Sequence, residues 1–478
     1  MTEKFDMVAK TFQGLEGVLA DELAALGAEN VEQGTRMVAF TGDKEMLYRA
    51  NFCLRTALRI LKPFHKFQAI DIDDLYRQVK AYNWQAMMTA EQTFAIDVTA
   101  NSEEFRHSRF VTYRVKDAIA DHFNEALGRR PSIRVTNPDL RIDVHISGNQ
   151  VTLSLDSSGE PLYRRGWREG QTDAPINEVL AAGIILLSGW NGQTDLVDPM
   201  CGSGTFLVEA ALIAANINPG VFRKGFAFQN WADYDDEMFN QIYNDDSGER
   251  EFTHKIYGYD IDGKAIAISR ANVKSAGVAR YVELGLRDIA EWTEAPAGGT
   301  LITNPPYGER LKGDIGALYQ TLGQKLKHVF TGYNAWLIVN RDEHNDHIGL
   351  KPSVTYRLLN GAIECELRQY VIFEGRYSDL RSRGESIKNE GFRASDPNRG
   401  RPRREHMGER KPRPRREFSD RGDSAGRPSE PRRPRNFSPR EPQLGVDKEV
   451  PIIRGRRKSW KRRDLDIPTP PENNPTDE

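Results

Sequence analysis

The spacing of apolar positions changes several times along the chain, and each change marks an element. Leu15, Val18, Leu19, Leu23 and Leu26 recur three and four residues apart, the spacing of one helical face, and Gly27 supplies the stop. Val38-Ala39-Phe40 reads as a strand closed by Thr41-Gly42. Phe94–Val98 reads as another strand and Phe110–Ala126 as a helix, while Arg141–Ile146 and Val151–Leu155 predict a hairpin turning at Gly148-Asn149. From residue 174 the pattern becomes strand, helix, strand, helix. Parallel strands need such helical crossovers, so this half predicts a mostly parallel sheet. Past about residue 380 the periodicity stops.

Charge separates that last segment from the rest. The whole chain holds 67 Lys+Arg and 69 Asp+Glu. Residues 381–478 hold 27 basic and 17 acidic groups, a surplus of +10, which leaves 40 against 52, or −12, for the body. The tail also contains 14 of the 25 prolines, as in Lys411-Pro-Arg-Pro-Arg-Arg416. With so few large apolar residues it cannot offset its ordering entropy, so it is expected to be disordered, and its charge suits contact with RNA.

Three cysteines, none in a CxxC pair, predict neither a disulfide framework nor a zinc site, and no metal is expected. The N-terminus lacks a basic stretch followed by an apolar one. The longest apolar run, Ala181–Leu187, is too short for a membrane span. A soluble, cytoplasmic protein is expected.

Leu196-Val-Asp-Pro-Met-Cys-Gly-Ser-Gly-Thr205 places an acid at a strand end, a glycine turn after it and an apolar helix from Thr205. In open α/β sheets ligands bind at that position, and Gly202 and Gly204 let a ligand approach the backbone. A dinucleotide fingerprint needs a third glycine where Leu207 stands, and a phosphate-binding Walker loop needs a Lys that is absent. Two further strand-end acids follow, Asp260 after Ile256-Tyr-Gly-Tyr259 and Asp288 after Tyr281-Val-Glu-Leu284. Such acids commonly cap helices, but three in succession suit a nucleoside-bearing cofactor, with Asp260 accepting from two ribose hydroxyls.

Leu301-Ile-Thr-Asn-Pro-Pro-Tyr307 is the most specific run. The Asn304 and Pro305 carbonyls form a rigid pair of acceptors suited to an NH₂ group, and Pro306 stiffens the backbone beside them. Accepting both amino protons localises the nitrogen lone pair for attack, and Tyr307 offers a face for a flipped base. Such chemistry depends mostly on positioning.

Asp198–Thr205 together with Asn304–Tyr307 resembles the class I S-adenosylmethionine-dependent amino-methyltransferases. The extension Gly308-Glu-Arg-Leu311 is similar to the THUMP-containing 23S rRNA guanine-N2-methyltransferases, specifically the N-terminal half of the fused bacterial enzyme. Phe105-Arg-His-Ser-Arg109, Asn137-Pro-Asp-Leu-Arg141 and Leu155–Gly166 extend the resemblance over roughly residues 1–375. It implies S-adenosyl-L-methionine as cofactor and 23S rRNA or a large-subunit assembly intermediate as partner. The alternatives are a THUMP tRNA guanine-N2-methyltransferase, a DNA or RNA adenine-N6-methyltransferase, whose amine the same Asn-Pro-Pro-Tyr run serves, and a non-catalytic RNA-binding assembly factor, against which the intact cofactor and target motifs argue. The implied fold is a Rossmann-like α/β methyltransferase domain (157–380) behind an α+β region, divided into a ferredoxin-like part (1–44) and a THUMP part (45–156). The tail spans 381–478. Cofactor contacts are implied for Glu178, Asp198, Pro199, Cys201, Gly202, Gly204, Asp260 and Asp288, and target contacts for Asn304, Pro305, Pro306 and Tyr307. RNA contacts are expected at Arg106, Arg109, Arg114, Lys116, Arg164 and Arg165. The aromatics Phe222–Phe239 are expected in the core, one of them with the alternative of capping the base pocket.

Overall fold

Eight strands among the described residues build a first sheet: β1 (Phe5–Lys10), β2 (Glu29–Gly34), β3 (Met37–Gly42), β4 (Arg59–Gln68), β5 (Thr93–Asn101), β6 (Ser132–Ile133), β7 (Leu140–Ser147) and β8 (Gln150–Asp156). Their spatial order is β2-β3-β1-β4-β8-β7-β5-β6. The computed structural model describes residues 3–296, 298–306, 314–341 and 345–375; Tyr307, Glu309-Arg310-Leu311 and the tail from 381 lie outside them. Helices α1 (Glu16–Ala25) and α2 (Lys44–Cys53) pack at the β3 end, and α3 (Ile72–Ala81) and α4 (Ser108–Leu127) at the β5 end. The expected hairpin is β7–β8, with Gly148 at φ 61° in its turn.

Strand β4 carries the sheet across both regions expected upstream of residue 157. It pairs with β1 at Leu61↔Val8 and with β8 from Leu61↔Asp156 to Gln68↔Gln150. Its register slips between Pro63 and His65, beside the residue that has no N–H to donate. A proline in mid-strand hides β4 from a reading of the sequence.

The second sheet follows α5 (Glu178–Leu187). It comprises β9 (Asp195–Asp198), α6 (Thr205–Ala214), α7 (Asp236–Asn244), β10 (Ile256–Asp260), α8 (Gly263–Ser275), β11 (Val282–Leu286), β12 (Gly299–Thr303), α9 (Ile315–His328), β13 (Tyr333–Asn340), β14 (Val354–Asn360) and β15 (Ile363–Val371). The strand order is β11-β10-β9-β12-β13-β15-β14. The first five of these pair in parallel, and β15 and β14 add an antiparallel hairpin at the edge. Central β9 is four residues long with Leu196 and Val197 both fully buried, because helices cover both faces. One cluster holds α5 and α6 (Val179, Leu180, Ile184, Leu207, Leu212), and the other packs α9 under Trp292, Phe330 and Tyr333.

Three rings of the aromatic segment between α6 and β10 are buried away from the second sheet's clusters. Phe226, Phe228 and Phe239 complete the core of the first sheet's β1–β3 end. Tyr48 of α2 stacks on Phe228 at 4.4 Å, and Phe52 meets Phe239 edge-on at 6.1 Å. The base-pocket alternative for these rings is thereby corrected: their apolar area is already buried against α2. Among the described residues no helix is long and apolar enough to cross a membrane.

Candidate active site

The order of the second sheet reverses between β9 and β12, and the glycine turn leaves β9 at that point. Asp198 ends β9 and is 1% exposed. Its Oδ1 accepts from Thr303 Oγ1 (2.7 Å), the last residue of β12, and from the Met200 N–H (3.2 Å). Burial pushes the Asp198 carboxyl up to about 7, against the pull of those two donors.

Asp260 ends β10 and is tied to the same turn. Its Oδ2 accepts from the Gly202 N–H (2.9 Å) and its Oδ1 from the Asp262 N–H (2.9 Å). The Cys201 N–H donates to the Tyr259 carbonyl (2.8 Å), and Ser269 of α8 donates to the Gly202 carbonyl (2.7 Å). Gly202 (φ 54°) and Gly204 (φ 75°) are in the left-handed region, and a Cβ on Gly204 would sit 2.9 Å from Ser269 Oγ. The turn is thus held closely against β10 and α8.

Asn304 follows Thr303 directly. Its Oδ1 is buried, with no hydrogen-bond partner among the described residues. Buried acceptors are seldom left in that condition, so this carbonyl is poised for a donor that the described residues do not supply. Pro305 is buried and Pro306 exposed. Asp288 lies past the end of β11, half-buried, and accepts from the Ala290 N–H (2.9 Å) as the cap of a short 3-10 turn. Beside these acids Ile261 and Leu286 are 69% and 66% exposed, two apolar side chains at strand ends that sequence reading did not single out.

The structure therefore brings Asp198, Gly202, Gly204, Asp260 and Asn304 to one edge, with Pro199 buried beneath. Cys201 points inward, 7% exposed and 3.8 Å from Ser269 Oγ. Burial and the neighbouring Asp198 and Asp260 hold its thiol well above the ordinary range. Glu178 is joined to the turn through Arg168, a residue that sequence reading passed over. Among the described residues, no group of three or more His, Cys, Asp or Glu side chains is placed to hold a metal ion.

The residues expected to meet RNA divide. Arg106 and Arg109 are exposed at the start of α4, beside Phe110 (54% exposed) and Tyr113 (47% exposed). Arg114 pairs with Asp73 (2.6 Å), Lys116 with Asp117 (2.7 Å) and exposed Arg164 with Glu160 (3.2 Å). Arg165 is a correction. It is 2% exposed, pairs with fully buried Glu209 at 3.4 Å and donates to the Leu162 carbonyl at 3.0 Å, so its charge is satisfied inside the protein and cannot reach a phosphate.

A parallel sheet with a reversed strand order, a glycine turn and strand-end acids defines the Rossmann-like α/β class. Residues 165–369 match the RMKL-like methyltransferase domain, 69–156 the THUMP domain and 6–61 the RlmL ferredoxin-like domain. The chain is 41% identical to a ribosomal RNA large subunit methyltransferase K/L of Syntrophotalea carbinolica, over 76% of this chain and 53% of that one. It is 36% identical to a Synechocystis sp. protein provisionally named RNA methyltransferase slr0064, over 76% of this chain and 96% of that one. The crystal structure of SMU.472, a methyltransferase candidate complexed with SAH, superposes with a TM-score of 0.69 at 29% identity, covering 79% of this chain and all of that one. The chain belongs to the RMKL-like methyltransferase family, in its THUMP-bearing form. It spans about half the length (53%) of the Syntrophotalea relative.

Proposed function

We propose that the chain transfers a methyl group from S-adenosyl-L-methionine to the exocyclic N2 amine of a guanosine in 23S rRNA. The observation that carries this reading is the buried Asn304 Oδ1 just past the end of β12, without a hydrogen-bond partner among the described residues and one residue from the Thr303–Asp198 hydrogen bond. The residues at the turn fit the cofactor: Asp198 suits its ammonium, Asp260 its ribose hydroxyls, and Asp288, Ile261 and Leu286 its adenine. When bound, the cofactor supplies an electrophilic methyl group. Asn304 Oδ1 and the Pro305 carbonyl accept the amino protons of the target, Pro306 fixes their spacing, and Tyr307 stacks on the flipped base. Buried apolar neighbours strengthen such hydrogen bonds by keeping water away.

Capture of the RNA falls to Arg106, Arg109, Arg114, Lys116 and Arg164, with Phe110 and Tyr113 as stacking faces, and to the basic tail. The resemblance around Asn304–Leu311 supports guanine as the base, and the name of the Syntrophotalea relative supports large-subunit rRNA as the substrate. The test uses the full chain, methyl-labelled cofactor and separate 23S rRNA, large-subunit precursor and tRNA substrates, with nucleosides separated by mass spectrometry. N2-methylguanosine in 23S rRNA or its particle is expected. Label confined to tRNA, or appearing as N6-methyladenosine, would overturn the assignment.

Asp198 makes cofactor binding pH-dependent. Its carboxyl, ordinarily at 3.8, is raised to about 7, so the folded chain keeps a proton that the unfolded chain releases. This group therefore costs stability progressively as pH rises from 3.8 to about 7. A bound ammonium favours the ionised form. S-adenosylhomocysteine affinity is thus expected to rise with pH up to about 7, by at most about tenfold per unit, and then level off. Calorimetry at about pH 6 and about pH 8 checks this, and Asp198→Asn should remove the slope.

A further inference from the structure

Arg168 stands between β8 and α5, and its guanidinium contacts three separate elements. Nε donates to Glu178 Oε1 (2.7 Å) on the first residue of α5. Nη1 donates to Ser203 Oγ (3.1 Å), between the two glycines of the turn, and Nη2 to Thr205 Oγ1 (2.9 Å), the first residue of α6. The side chain is 17% exposed and lies over the Trp167 ring at 4.9 Å. Just beyond it, the Glu169 and Gly170 N–H groups donate to Asn272 Oδ1 (2.8 and 3.1 Å). The Asn272 amide in turn donates to the Gly170 and Ser203 carbonyls (2.9 and 2.8 Å). A Cβ on Gly202 would have Thr172 Oγ1 as its neighbour at 3.8 Å. Residues 168–172 therefore form a strap laid along the glycine turn and anchored on buried Asn272.

Charge gives the strap a purpose beyond packing. Asp198, Asp260 and Glu178 put three carboxylates around the turn, and Arg168 brings a cation into hydrogen bonds with the turn itself. The amino-acid end of S-adenosylmethionine carries an ammonium and a carboxylate. Carboxylates beside the turn suit the first; the second needs a cation and free donors, and the positive end of α6 adds to what Arg168 provides. We infer that Arg168 sets the affinity of the glycine turn for the carboxylate of the cofactor's amino acid, as a positioning residue that fixes Ser203 and Thr205 and as the counter-charge. Glu178, on this inference, acts by holding Arg168 in place. The inference rests on the cofactor reading above.

Two ligands separate this role from simple support. S-adenosylhomocysteine carries the amino acid, and 5′-methylthioadenosine has the nucleoside without it. Calorimetry on the full chain is expected to show Arg168→Ala weakening S-adenosylhomocysteine by about thirtyfold while 5′-methylthioadenosine stays within about threefold. Arg168→Lys should restore part of the loss. In turnover, KM for the methyl donor should rise more than kcat falls. Equal weakening of both ligands would mean that the turn has merely collapsed and would overturn the inference, as would unchanged S-adenosylhomocysteine affinity. Should Arg168→Ala fail to fold, Arg168→Lys decides by the same comparison. A wild-type chain that binds neither ligand would overturn the cofactor reading and this inference with it.

Discussion

Asn304→Ala is expected to lower methyl transfer by about a thousandfold while leaving S-adenosylhomocysteine affinity within about threefold. The Asn304 side-chain carbonyl has no donor among the described residues, so truncation releases no hydrogen bond there that holds the fold together. What it removes is the acceptor proposed for the target amine. The cofactor side of the edge rests on Asp198 and Asp260, which are bonded to Thr303 and to Gly202 and not to Asn304. Single-turnover methylation and calorimetry on the same preparation separate the two effects. Undiminished turnover, or loss of cofactor affinity, would remove Asn304 from the role assigned to it.

Asp260→Ala is expected to act at the other end of the edge, weakening S-adenosylhomocysteine by about a hundredfold. Two losses combine. The carboxylate proposed for the ribose hydroxyls disappears, and the Gly202 and Asp262 N–H groups lose their acceptor at 2.9 Å. The second loss also loosens the turn that carries Gly202. At saturating methyl donor the rate should recover to within about tenfold, since Asn304 is untouched. A variant with wild-type affinity, or one with unchanged affinity and a lowered saturated rate, would contradict this division of labour.

How much of this edge the sequence revealed depended on how local each interaction is. The β9–turn–α6 unit was legible because apolar strand, glycines and apolar helix follow one another without interruption from Asp195 to Ala214. The roles of Thr303 and Ser269 were not, since each is defined by a partner on another strand or helix, as in the Thr303–Asp198 bond between positions 105 apart. The run Arg164-Arg165-Gly-Trp-Arg168 shows the limit most sharply. Three arginines of identical charge end up exposed, buried against Glu209, and bonded to the glycine turn. Only the packing of α5, α6 and the strap distinguishes them. Strand β4 escaped for a different reason, because Pro63 interrupts the alternation that marks a strand.

The aromatic seam between α2 and the segment before β10 has a bearing on how the chain is made. Tyr48 and Phe52 emerge early in synthesis, but Phe228, Phe239 and Tyr243, the rings they pack against, come after β9 and α6. The β1–β3 end of the first sheet therefore cannot close its apolar interior as an early, self-sufficient unit. It must wait, with α2 partly uncovered, until the ribosome has delivered Tyr243. Closure of that end of the N-terminal sheet is thus timed by synthesis of the segment between α6 and β10.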